Sequence, residues 1–278
     1  MNHQAITPEL RQWIIDQSSA GHSVESVLAA MKAAGWSEDV ALAALEKTLQ
    51  DHVGPLVQGH RPVPEPAMPS GAVAVWAHDR EVQVLASMAR PRVLVLGGLL
   101  SEQECAEMIR LAEPRLARSE TVVNATGGSE VHTARTSQGM FFARGEHDLC
   151  ARIEQRIAAL LNWPVDHGEG LQILRYGPGA EYKPHYDYFD PSQPGTATIL
   201  RRGGQRVATL VMYLNTPSAG GATIFPDVGL SVSAVAGNAV FFSYALPHPM
   251  TQTLHGGAPV IDGEKWVATK WLREHRFE

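Results

Sequence analysis

Within Tyr182-Lys183-Pro184-His185-Tyr186-Asp187 an imidazole and a carboxylate stand two residues apart. On an extended backbone, side chains at i and i+2 share a face, so His185 and Asp187 would point to the same side. A neutral imidazole from a neighbouring strand would complete a facial set of two His and one carboxylate. That set holds Fe(II) on one side and leaves the opposite positions open for substrate and O₂. The candidate is His255, far downstream. Such separation suits a sheet that returns on itself, whereas a zinc finger or a helical HExxH keeps its ligands close. In a chain with 12 His the triplet alone is a weak signal, because a surface His beside a turn Asp is spelled the same way. The surroundings have to decide.

Those surroundings are rich in strand signals. Residues 171–176, 206–215, 222–225, 230–235, 239–244 and 265–273 form short β-branched and aromatic runs punctuated by Gly or Pro, the pattern of a sandwich or jelly roll. Upstream, 82–86 alternate and 92–96 follow a proline, so both are expected as strands. Ser101-Glu102-Gln103-Glu104 has capping-box spacing and opens a helix expected to reach about residue 116. A second amphipathic helix spans 149–161, and the pair would cover one face of the sheets. The Thr-, Ser- and Gly-rich stretch 119–139 is expected to be a long, mobile loop. In the last strand Lys265, Val267, Thr269 and Trp271 share a face. A lysine pointing into a barrel is costly unless an anion awaits it, and a dicarboxylate that chelates iron at its other end would supply one.

The N-terminal part differs in character. Residues 8–50 carry helical apolar stripes, with Ser23 and Ser37 as caps and Gly35-Trp36 as a stop. Prolines at 55, 62, 64, 66 and 69 mark a semi-extended linker over 54–71. The chain is therefore expected to divide into a helical module, 1–53, the linker, and a main domain, 72–278, with its jelly-roll core at about 168–275. The module reads as an interaction or homodimerisation element. The chain has 278 residues, 44% of them hydrophobic, and a net charge of −6; that charge leaves no footprint for nucleic acid or an anionic membrane surface. No apolar run approaches a membrane span and no signal peptide is evident. Cys105 and Cys150 show no CxxC pattern and read as buried free thiols, so a cytoplasmic location is expected.

Several ordered segments together resemble the Fe(II)- and 2-oxoglutarate-dependent dioxygenases of the prolyl 4-hydroxylase type. They are Arg135-Thr136-Ser137, Gly168-Glu169-Gly170-Leu171-Gln172, the stretch 182–189, Gly204-Gln205-Arg206-Val207, Gly220-Gly221-Ala222-Thr223, 254–260, and Gly263-Glu264-Lys265-Trp266. The resemblance runs from about residue 81 to the C-terminus. It implies a double-stranded β-helix with flanking helices, with His185, Asp187 and His255 as iron ligands. It also implies that Lys265, with the hydroxyls of Thr223 and Tyr176, binds the distal carboxylate of 2-oxoglutarate. Tyr182, Arg206 and Trp271 match substrate-side positions, and Glu169, Arg135 and Ser137 are substrate-side or loop-anchoring candidates. The implied reaction is O₂-dependent hydroxylation of an unactivated C–H with release of succinate and CO₂, ascorbate serving as reductant. A prolyl residue in a peptide or protein is the expected substrate, with free proline or another small imino acid as the alternative. A non-catalytic sensor on the same barrel would show a broken triad or no Lys265, and a cosubstrate-free metal enzyme would not need Lys265. Two local features depart from the pattern: Ala222 replaces the usual acidic residue after the glycine pair, and His248, between two prolines, is expected to be a loop residue.

Overall fold

The computed structural model describes residues 6–19, 22–57, 62–69, 71–118, 121–122, 129–130 and 136–278. The chain divides into two compact units, one of residues up to Arg61 with His248–Thr251, the other of Pro62–Pro247 with Gln252–Glu278. In the first, α1 (Pro8–Ser19), α2 (Val24–Ala33) and α3 (Glu38–Val57) pack around Ile14, Val27, Met31, Ala41, Ala44 and Leu45. The Ser23 hydroxyl accepts from the Ser26 N–H at 3.2 Å, capping α2. Gly35, at φ +90°, makes the turn that stops it. Composition places the linker's start at residue 54, yet α3 stays helical through Pro55 to Val57. A proline in a last turn removes only one i−4 bond.

The second unit begins with Pro62–Pro69. Pro64 and Pro66 are buried, the Glu65 N–H donates to Leu161 O at 3.1 Å, and the Arg92 guanidinium binds the Glu65 carboxylate. Prolines two apart put their rings on one side of an extended chain, and here that side rests on the domain.

Strands β1 (Ala74–Ala77), β2 (Arg80–Met88), β3 (Arg92–Gly97), β4 (Ala117–Arg118) and β5 (Gln138–Phe142) come first. Then follow β6 (Leu171–Tyr176), β7 (Tyr182–His185), β8 (Arg206–Tyr213), β9 (Thr223–Phe225) and β10 (Leu230–Val232). Last are β11 (Ala239–Ser243), β12 (His255–Gly257) and β13 (Lys265–Arg273). Nine of them form a large antiparallel sheet in the order β1-β2-β3-β11-β8-β13-β6-β5-β4, and β10-β9-β12-β7 form a smaller one. The two enclose a core of Leu174, Tyr213, Phe225, Val240, Phe242 and Val267, as the expected jelly roll requires. Most of the stretch 119–139 lies outside the described residues, so the expected loop does too; its last two residues already belong to β5.

The large sheet's other face is covered by α4 (Glu102–Ala112) and α5 (Asp148–Leu161), which set Cys105, Met108, Ile153, Ile157 and Leu160 against Trp266, Ala268 and Leu272. Both cysteines are free and buried. The capping box forms as spelled, Ser101 and Glu104 each bonding the other's backbone N–H. α4 stops at Ala112, before the expected end, because Pro114 turns the chain into a 3₁₀ segment, Glu113–Arg115. Among the described residues no helix is long and apolar enough to cross a membrane.

One buried cation ties these layers together. Arg156 of α5 binds both oxygens of Glu104 at 2.8 and 2.9 Å, both of Asp79 at 2.7 and 2.8 Å, and Leu99 O at 2.8 Å. Burial opposes the charge on Glu104, but Arg156 and the Ser101 N–H hold it at about 2; the Arg156 hydrogen bonds hold Asp79 there as well. Arg156→Ala is expected to cost ~3 kcal/mol in urea unfolding, since it removes the main partner of the buried Glu104 carboxylate, which keeps only Arg152, Arg80 and the Ser101 N–H. With both carboxyls depressed, their contribution to stability is complete above pH about 4 and is lost as the pH falls toward 2. A pH series on the wild type and the variant should show that acid slope flattened by the substitution.

Candidate active site

β7 and β12 pair so that His255 lies directly across from His185. Their approach needs glycine at 256, where a Cβ would come within 2.8 Å of Tyr182 O. Asp187 follows β7 by two residues. Its Oδ1 lies 3.5 Å from His185 Nε2 and its Oδ2 3.4 Å from His255 Nε2, and one donor atom from each of the three side chains lies within 4.8 Å of the others. Both imidazoles are oriented by the same device. His185 Nδ1 lies 2.9 Å from Lys183 O and His255 Nδ1 3.0 Å from Thr253 O. A carbonyl can only accept, so each Nδ1 carries the proton and each Nε2 keeps its lone pair for a metal. Burial lowers the His185 value, which favours the neutral ring. Burial works against an ionised Asp187, and what holds it well below the usual carboxylate range is positive charge on the side facing the imidazoles, which a bound cation would supply once both Nε2 atoms present lone pairs. Two imidazoles presenting Nε2 and one carboxylate fit a divalent ion of the non-haem iron kind. Tyr182 stacks on His185 with ring centroids 3.8 Å apart.

The other pole of the cleft is Lys265. β13 is buried along its whole length, and its odd positions face the small sheet. Lys265 lies opposite Tyr176 of β6 and is 4% exposed. Its ammonium has no carboxylate partner among the described residues, and burial lowers it to about 8. The Nζ lies 5.5 Å from the Tyr176 ring and 5.8 Å from the Tyr213 ring. The Tyr213 hydroxyl donates to Thr223 Oγ1 at 2.8 Å. Tyr213 is a member of this cradle that sequence reasoning missed. A buried ammonium with hydroxyls around it and no counter-ion is suited to an incoming carboxylate.

The remaining sequence candidates fall into distinct places. Arg206 and Glu169 bind each other in a two-pronged fork, Nε to Oε1 at 2.7 Å and Nη2 to Oε2 at 2.9 Å. The guanidinium lies 3.9 Å over the Trp271 ring and 4.8 Å from that of Phe189. Glu169 is also 3.5 Å from Arg273 Nη1, so its carboxylate is held by two guanidinium groups. A bulge in β8 makes this possible. Arg206 pairs with Arg273 and Thr209 with Trp271, so two residues three apart come to share a face. Trp271 lines the cleft, and its indole N–H is buried with no hydrogen-bond partner among the described residues. Ser137 is fully buried beside Thr136, whose hydroxyl accepts from the Glu181 N–H at 3.0 Å. Arg135 lies outside the described residues. His248 sits in a turn where its Nδ1 accepts from the Met250 N–H at 3.1 Å, and it is not a member of the donor trio. Ala222 accepts the Ala258 N–H at 2.8 Å; its small side chain leaves the trio and Lys265 undisturbed.

Comparison with known proteins agrees with this geometry. The family model of the 2OG-Fe(II) oxygenase superfamily matches residues 171–273. "Probable prolyl 4-hydroxylase 10" of Arabidopsis thaliana is 38% identical over 222 residues, covering 72% of this chain and 74% of that protein. "Prolyl 4-hydroxylase 2" of the same plant is 36% identical over 215 residues, 68% and 70% of the two chains. Among solved structures, the viral collagen prolyl hydroxylase of Paramecium Bursaria Chlorella virus-1, in complex with 2-oxoglutarate, is similar at TM-score 0.51. It is 30% identical, over 65% of this chain and 95% of that one. The chain belongs to the 2OG-Fe(II) oxygenase superfamily, among its prolyl 4-hydroxylase-type members. It is an Fe(II)- and 2-oxoglutarate-dependent dioxygenase.

The state of Lys265 gives this site a testable pH profile. Its raised cost of ionisation means the empty cleft loses the ammonium as the pH rises through about 8. The KM for 2-oxoglutarate should therefore be lowest below pH 8 and climb above it. Lys265→Ala should raise that KM about 10- to 100-fold, the equivalent of ~1.5–3 kcal/mol for a hydrogen bond to a charged group, and flatten the profile. An unchanged KM in succinate-release assays would mean that another group meets the carboxylate.

Proposed function

We propose that the chain hydroxylates a prolyl residue within a peptide or protein, with His185, Asp187 and His255 as iron ligands and Lys265 as the anchor of 2-oxoglutarate. When bound, the iron supplies the O₂ and C–H chemistry, 2-oxoglutarate leaving as succinate and CO₂. The chain's own residues do the rest. The Nδ1–H bonds to Lys183 O and Thr253 O aim the two imidazoles. Lys265, with the hydroxyls of Thr223 and Tyr176, receives the distal carboxylate, and Tyr213 donates to the Thr223 hydroxyl so that the threonine proton is free for it. Tyr182 and Trp271 offer aromatic faces to a pyrrolidine ring, and the unpartnered Trp271 N–H offers a donor to a peptide carbonyl. The relatives named prolyl 4-hydroxylases support the substrate class, and ascorbate is the expected reductant.

The observation that carries the peptide reading is the fork between Arg206 and Glu169. A free imino acid brings a carboxylate and an ammonium, and each needs a charged partner in the pocket. Arg206 and Glu169 could have supplied that pair, but each is spent on the other. Lys265 is taken by the cosubstrate and Asp187 by the metal. Among the described residues no charged pair is left for a zwitterion, and a residue inside a peptide needs none. A proline-rich peptide and free L-proline, offered at matched concentration, should give a +16 Da product from the peptide in mass spectrometry. Hydroxylation of the free amino acid alone would refute this reading.

The N-terminal helices carry none of the motif residues, so we assign them an interaction or dimerisation role and take the catalytic part to be 62–278. The unpaired buried thiols Cys105 and Cys150 accord with a cytoplasmic setting. A chain starting at Pro62 should decarboxylate 2-oxoglutarate at the full-length rate. One starting at Ala72 loses the Glu65–Arg92 contact and both buried prolines, and should melt several degrees lower. An inactive Pro62 chain would place the helices in the catalytic machinery.

A further inference from the structure

Thr209 is wholly buried in β8, in a run that is otherwise apolar, and it lines the cleft. Its hydroxyl meets two groups: it donates to Asp187 Oδ2 at 2.7 Å and lies 3.0 Å from the Tyr244 hydroxyl. Elementary valence orders the chain. An ionised carboxylate only accepts, so the single Thr209 proton goes to Asp187. The Tyr244 O–H must then donate to Thr209. Tyr244 is itself 2% exposed, with the Tyr188 and Phe242 rings at 6.1 and 6.2 Å. Nothing in packing alone calls for a threonine here, since valine has the same shape without the polar group, and a buried hydroxyl costs free energy unless bonded.

We propose that Thr209, backed by Tyr244, is a positioning residue that restricts Asp187 to ligation through one oxygen. This rests on the assignment of His185, Asp187 and His255 as the metal site. A six-coordinate ion held by two imidazoles and one carboxylate oxygen would keep three positions for cosubstrates, and a second Asp187 oxygen on it would leave only two. The charge-assisted bond from Thr209 engages Oδ2, so Oδ1, 3.5 Å from His185 Nε2, would be the oxygen left for the ion. Tyr244 sharpens the effect by fixing the rotation of the threonine hydroxyl toward Asp187.

The test uses the full chain and Co(II), whose visible absorption reports coordination number without turnover. Affinity is measured by equilibrium dialysis, and spectra are taken with and without 2-oxoglutarate. Thr209→Val should bind Co(II) about 10- to 100-fold more weakly, the usual effect of losing a group that orients a ligand. Its spectrum with 2-oxoglutarate should differ from the wild type. Thr209→Ser should restore affinity to within about threefold, and Tyr244→Phe should shift affinity and spectrum the same way by less. Thr209→Val and Tyr244→Phe with wild-type affinity and spectra would overturn the proposal. If Thr209→Val does not fold, Tyr244→Phe decides, because phenylalanine keeps the ring and removes only the hydroxyl. Wild-type protein that bound no Co(II) would instead overturn the metal assignment, and a wild type that binds with indifferent variants would overturn this inference alone.

Discussion

The pairing of β7 with β12 is the constraint on which the site depends. Two imidazoles can share an ion with one carboxylate only if their strands come close enough to put the rings 4.4 Å apart. That closeness needs a backbone without a Cβ at residue 256. The strands are short and lie in the smaller sheet, so they do not hold this geometry alone. It is imposed by the large sheet, whose central strands β8 and β13 are buried on both faces, and by α4 and α5 packed behind it. The buried Arg156 of α5 joins α4 and the first hairpin with two hydrogen bonds to each and a fifth to Leu99 O. The ion pairs of Arg156 and of Lys270 with Glu154 lie on the helical side of the sheet, away from the cleft. The catalytic face therefore keeps its own charges separate.

Strand alternation divides the work of β13. Even positions, Trp266, Ala268 and Leu272, build the core against the helices, while odd positions, Lys265, Val267, Thr269 and Trp271, line or approach the cleft. A shift of one residue would exchange the two sets, putting Lys265 into the apolar core and Trp266 into the cleft. Seven cross-strand pairings to β8 and five to β6 make that slip prohibitive in practice, and Asn215 adds a fixed point by accepting the Trp266 N–H at 2.7 Å. The register that holds the domain together is thus the register that places the cosubstrate anchor.

Much of this was legible from residue types. His185 and Asp187 could be read from a two-residue spacing, and Lys265 from a charged residue at the head of an apolar strand. β6 and β13 fall where their β-branched runs lie. His255 was named as well, its long spacing suiting the sheet return that sets it opposite His185. What escaped had physical causes. Thr209 and Tyr244 look like ordinary strand residues, and their partnership depends on the pairing of β8 with β11, which no local pattern announces. Their signal was present all the same: a hydroxyl within an apolar run must have a partner. Tyr213 escaped likewise, as an aromatic that packing alone could explain. The prolines of 62–69 spell a linker by composition, yet their spacing also presents rings to one side, and burial follows. Arg206 and Glu169 were visible as a charged pair near the substrate, but only their geometry revealed that they neutralise each other.

That mutual neutralisation gives the cleft its charge logic. Before anything binds, the residues facing it carry the Arg206–Glu169 fork with Arg273 beside it as a second cation, one negative charge at Asp187 and one positive charge at Lys265. A divalent ion would add two positive charges beside Asp187 and a dianionic cosubstrate would remove two, so the pair together leaves the charge of the cleft unchanged. In a water-poor site an additional uncompensated charge is costly. A substrate that arrives neutral pays nothing for this, whereas a zwitterion would have to pull Arg206 from Glu169 and leave Arg273 and Glu169 to rearrange. Opening a buried fork for one new ion pair exchanges two good charge-assisted bonds for two others and adds the desolvation of the ligand. The balance favours the neutral backbone of a peptide, and the same fork that keeps ionic ligands out holds the guanidinium flat against Trp271, where a pyrrolidine ring would rest.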